Sequence, residues 1–68
     1  MCEFKLRVFL REGDELNLVH KEAINVKFEG NGVSILGDDG STLKVGDARI
    51  IEVDAERQVV ILLKTLKD

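Results

Sequence analysis

From Cys2 to Leu10, apolar residues recur at every second position: Cys2, Phe4, Leu6, Val8 and Leu10. Glu3, Lys5, Arg7 and, just beyond, Arg11 alternate with them, and Phe9 is the one apolar residue on the charged side. A period of two sends these sets to opposite faces of an extended strand, whereas a helix would scatter both around its axis. The period returns in 23–29, where Ile24, Val26 and Phe28 are expected inward and Asn25, Lys27 and Glu29 outward. No stretch holds a helical period. Val, Ile and Thr number fifteen against three Ala, a bias that fits pleated sheet.

Polar and glycine-bearing segments punctuate the alternation: Glu12-Gly13-Asp14-Glu15, Gly30-Asn31-Gly32, Gly37-Asp38-Asp39-Gly40, Gly46-Asp47 and Ala55-Glu56-Arg57-Gln58. Gly30-Asn31-Gly32 is the strongest hairpin signal, because all three residues tolerate a left-handed backbone. The 68 residues form one domain, 1–68, whose core is thin because a chain this short buries only about 60% of its unfolded surface. The expected fold is all-β, a small barrel of five or six short antiparallel strands of the SH3-like or OB-like kind, since closure removes exposed edges. If the chain has a helical turn, the irregular region 16–23 is the place for it.

The last strand breaks the rule for a half-buried one. Val59, Ile61 and Leu63 fall on one side while Val60 and Leu62 fall on the other, so both sides expect cover. In a domain of this size the expected second cover is a second copy of the chain, the competing reading being an ordinary barrel whose irregular twist hides these residues in a monomer's core. Phe9, Leu36 and Ile50, on nominally outward faces, are expected to extend the same patch. Such side chains contribute about 1.5 to 3 kcal/mol each when fully buried, before the entropy of association is subtracted.

Composition narrows the chemistry. Ten basic and thirteen acidic residues leave a net charge of −3, which repels phosphate overall. Nucleic-acid binding therefore needs a local patch, and Lys5, Arg7 and Arg11 on one side of the first strand are its candidates. No arrangement suited to nucleophilic or general acid–base catalysis stands out, so the chain does not read as an enzyme. Glu52 and Asp54 share a strand face, which reads as two solvated charges, and Asp38-Asp39 reads as a turn rather than a calcium loop. One cysteine excludes an internal disulfide framework. A lone thiol, with no export signal and no apolar run of membrane-spanning length, points to the cytoplasm.

That cysteine is the position with the most chemical potential. Cys2 lies within chelate reach of the amino terminus: if Met1 is removed, amine and sulfur close a five-membered ring on a metal ion. If Met1 is retained, its amine, the Cys2 amide and the thiolate can all face one ion. Two such arms at a dimer axis would offer a flat nitrogen-containing set suited to Ni(II) or Cu(II), or a sulfur-rich tetrahedron suited to zinc. The competing reading makes Cys2 a small apolar residue opening the buried face of the first strand. His20, the only histidine, is a further candidate ligand in an expected loop or turn.

The opening Met1-Cys2-Glu3-Phe4-Lys5, with Ala48-Arg49-Ile50-Ile51-Glu52-Val53-Asp54 near the end of a chain of short strands, resembles the CooT family. The resemblance implies an SH3-like fold and a homodimer that binds one Ni(II) through Cys2 of each subunit near the two-fold axis, with the Met1 amine contributing where it is retained. It also implies an accessory role in nickel insertion into an enzyme such as carbon monoxide dehydrogenase. Members of the family have also been labelled RNA-binding on the likeness of SH3-like and Sm-type barrels, an inference from fold alone.

Overall fold

The computed structural model describes residues 5–65. They form six strands: β1 (Leu6–Glu12), β2 (Glu15–Glu29), β3 (Gly32–Gly37), β4 (Thr42–Val45), β5 (Ala48–Asp54) and β6 (Val59–Lys64). All six belong to one sheet in the order β4-β3-β2-β1-β6-β5, curled into a half-barrel. The all-β small-barrel expectation holds. Two of its details do not.

First, the strands are not all antiparallel. β6 lies beside β1 and runs parallel to it, with Arg7 opposite Val59, Phe9 opposite Ile61 and Arg11 opposite Leu63. Periodicity reports which residues share a face but not the direction of the neighbouring strand. Second, the region 16–23 contains no helical turn: it lies within the 15-residue β2. Register shifts in the β1–β2 ladder, between Leu6 and Val8 and between Val8 and Phe9, absorb the residues that break its alternation. A bulge adds a residue without ending the strand, so lost alternation there marks a bend.

The concave side carries the core. Val8, Ala23, Val33, Ile35, Ala48, Val60 and Leu62 are buried, and Leu6, Leu10, Val19, Val26, Val45 and Ile50 pack around them. The alternation of β1 is realised as written, with Val8 enclosed and Arg7 and Arg11 exposed. Residues 23–29 depart from expectation. Ile24 sits at a register shift between Ala23 and Asn25 and is exposed, while Phe28, near the hairpin tip, lies beyond the cover of the core at 58% exposure.

Turn chemistry closes the sheet. Glu29 faces Gly32 across a two-residue loop in which Gly30 takes φ 66°, the left-handed value a tight hairpin needs. Gly32 is required for another reason: a Cβ there would run into the Val45 carbonyl oxygen of the neighbouring strand. Asp47 links the edge strands β4 and β5, and its carbonyl accepts a hydrogen bond from the Thr65 amide at 2.7 Å. Among the described residues no helix is long and apolar enough to cross a membrane.

Candidate interaction face

The proposed metal donors, Met1 and Cys2, lie outside the described residues. Within them, no group of three or more His, Cys, Asp or Glu side chains is placed to hold a metal ion. His20 does not occupy a loop. It stands in β2 opposite Val8, half-buried, and its Nδ1 accepts a hydrogen bond from the Glu22 amide at 3.1 Å. The opposite edge of the ring carries Nε2. That edge of the ring lies against Gly37.

The turn after β3 is built around Asp39. Its Oδ1 accepts from the Ser41 amide at 3.0 Å and from the Ser41 hydroxyl at 2.7 Å. These two bonds, the amide first, hold the Asp39 carboxyl below its ordinary pKa, with a further small contribution from His20. Asp38 in the same turn pairs with Lys5, Nζ to Oδ2 at 3.0 Å, fastening the start of β1 to the end of β3.

The convex side of the sheet carries the feature of most consequence. Register places Val59, Ile61 and Leu63 of β6 on this side, flanked by Arg7, Phe9 and Arg11 of β1 and by Asp54, Glu52 and Arg49 of β5. Leu18 and Leu16 of β2 continue the rows, opposite Phe9 and Arg11, and both are exposed. The double-sided character of β6 is thus present: Val60 and Leu62 enter the core while the other three residues form an outer stripe. Phe9 joins that stripe as expected. Ile50 does not, because it pairs with Leu62 and packs on the core, the bulge between Ile50 and Glu52 having moved the phase of β5. Leu36 faces outward on β3, with two strands, β2 and β1, between it and β6, and so stands apart.

Two shallow depressions of about 300 and 280 Å³ run over this face, both lined by Leu16, Glu52 and Ile61. Its charges flank the apolar β6, with Arg7 and Arg11 on β1 and Glu52, Asp54 and Arg49 on β5. Asp54 accepts a hydrogen bond from the Arg57 amide at 3.2 Å and pairs with the Arg57 guanidinium, Nε to Oδ2 at 3.8 Å, whereas neither Arg7 nor Glu52 has an ion pair among the described residues. The basic patch read from sequence is thereby divided. Lys5 is paired with Asp38, and Arg7 and Arg11 share their face with two carboxylates. No protein-family model matches the chain, and no curated protein matches it.

Proposed function

We propose that this chain is a non-enzymatic cytoplasmic metal carrier that works as a homodimer, binding Ni(II) through the Cys2 thiolates, and the Met1 amines where retained, of two copies. Its role is to deliver the ion to a nickel enzyme such as carbon monoxide dehydrogenase. The observation that carries the reading is the apolar outer stripe of β6, beside the strand into which the Cys2 segment leads. The donor set suits the cargo, since amine nitrogen and thiolate sulfur together favour Ni(II), Cu(II) or Zn(II) over hard cations.

Ni(II) titration of the wild type and of Cys2→Ser, followed by thiolate-to-metal charge-transfer absorption, tests it. Saturable binding by the wild type alone supports the proposal, and equal binding by both ends it. The outward placement of Arg7 and Arg11 on either side of Phe9 keeps RNA binding as the alternative. Retention of RNA that weakens with salt and with Arg7→Glu would replace the metal reading.

A further inference from the structure

We propose that the Asn31–Gly32 peptide at the tip of the β2–β3 hairpin is a self-modification site, converted in water to an aspartyl or isoaspartyl link. The Asp47 carboxylate restrains that conversion. The inference is independent of the metal and of the oligomeric state.

The chemistry needs an asparagine whose side-chain carbonyl can be reached by the next backbone nitrogen. The Gly32 nitrogen bonds to Asn31 Cγ, the bond from Cγ to Nδ2 breaks, and Nδ2 leaves as ammonia with the Gly32 amide proton. Water then opens the five-membered imide at one carbonyl or the other, leaving a carboxylate where the amide stood. A side chain on the following residue crowds the attacking nitrogen, and a glycine does not. The chain has three asparagines, all exposed. Asn17 and Asn25 precede Leu18 and Val26 inside β2, where they pair with Leu10 and Leu36. Asn31 alone precedes a glycine and stands in a turn. That glycine cannot be exchanged for a slower neighbour, because a Cβ on it would run into the Val45 carbonyl oxygen.

Two contacts set the rate. Asn31 Nδ2 donates to Asp47 Oδ1 at 3.1 Å, which ties the side chain to the β4–β5 corner. Ring closure has to release that bond before Cγ turns onto the Gly32 nitrogen. Gly32 itself is buried, so the tip must also open. The product turns attraction into repulsion, since a carboxylate replaces the donor and meets the Asp47 carboxylate. Glu29 adds to the repulsion and Lys44, 3.9 Å from Glu29, offsets part of it. Both border a depression of about 190 Å³ beside Asn31. The Asp47 carbonyl holds the Thr65 amide, so the repulsion falls on the corner to which the end of β6 is fastened.

Incubation of the folded full chain at neutral and mildly alkaline pH, mapped by fragment mass beside the free peptide of residues 28–34, is the experiment. The mass gain should appear at Asn31 alone, more slowly than in the peptide. Asp47→Asn and Asp47→Gly both suit the left-handed backbone of residue 47, at φ 52°, and circular dichroism checks that each is folded. Loss of a hydrogen bond to a charged acceptor should quicken the gain about fivefold in Asp47→Gly, with Asp47→Asn in between. Asn31→Asp, which imitates one product, should melt about 4 °C below wild type. Adding Asp47→Asn to it should restore the melt, because donor and acceptor are then exchanged. No gain at Asn31 while the peptide converts overturns the proposal, as does a gain at Asn17 or Asn25 that is equally fast. A gain that matches the peptide's, or that Asp47→Gly leaves unchanged, overturns the restraint by Asp47.

Discussion

The imidazole edge of His20 and the Cα of Gly37 are packed so closely that no side chain fits between them. A Cβ on Gly37 would lie 2.7 Å from His20 Nε2 and 2.9 Å from Cε1, with Asp39 Oδ1 at 3.0 Å on the other side. The backbone of Gly37 is not left-handed, so the glycine is required by space rather than by dihedral angle. Gly37→Ala should destabilise the fold by about 1 to 3 kcal/mol, the usual cost of overpacking. Gly46→Ala, whose Cβ would meet nothing within 4 Å, should stay within about 0.5 kcal/mol of wild type. Urea unfolding checks both, and in the His20→Ala background the Gly37→Ala penalty should shrink.

A core of few buried side chains concentrates stability in each of them. Leu62 is fully enclosed, on the inner side of the strand whose outer side carries the apolar stripe. Leu62→Ala should cost about 2 to 5 kcal/mol. That is comparable to the whole stability expected of a domain this small, so the variant should be largely unfolded at room temperature. Val53→Ala, at 62% exposure on the edge strand, should fall within about 0.5 kcal/mol of wild type. Far-ultraviolet circular dichroism on heating separates the two.

Where the chain was legible, the reason is local. Leu6, Val8 and Leu10 alternate with Arg7 and Arg11, and a strand with one wet face admits no other register. Gly30 takes the left-handed backbone that its hairpin signal predicts. The two apolar sides of Val59–Leu63 were equally plain, and they led to the interaction face. What escaped is non-local. Nothing in Val59-Val60-Ile61 says that its neighbour is β1 or that the pair is parallel. Bulges hid the rest: one carried Ile50 to the core side, and others let β2 pass through Lys21 and Glu22 without a turn. The placement of Arg7 and Asp54 on either side of Val59 became visible only with that strand order, since the two stand far apart in sequence.

Acid should loosen the turn after β3 through Asp39. Its folded-state pKa is lowered by the Ser41 amide and then by the Ser41 hydroxyl, so the folded state favours the ionised form. A depressed carboxyl contributes stability that is complete above its unfolded value and is lost as pH falls through the folded one. Melting temperature recorded from neutral pH to below about pH 4 should therefore fall more steeply for wild type than for Asp39→Ala. Ser41→Ala, which keeps the amide but removes the hydroxyl, should give an intermediate slope. Identical slopes for wild type and Asp39→Ala would show that the carboxylate carries no such linkage.

Gln58 offers a gain in stability. It ends the β5–β6 turn at φ 58°, a left-handed backbone that costs a residue with a Cβ roughly 1 to 2 kcal/mol. Its carbonyl accepts the Arg7 amide at 2.9 Å, the bond that sets the start of β1 beside β6, so this backbone must stay as it is. Gln58→Gly removes the steric cost but adds about 0.5 to 1 kcal/mol of unfolded-chain entropy. A net gain of up to about 1 kcal/mol in urea unfolding is expected. Gln58→Val, β-branched and poorly suited to positive φ, should instead lose stability. The main-chain bond to Arg7 survives both changes, so the difference between them isolates the backbone term. Should the glycine variant prove less stable than wild type, the half-buried Gln58 side chain must contribute more through its contacts than its backbone costs.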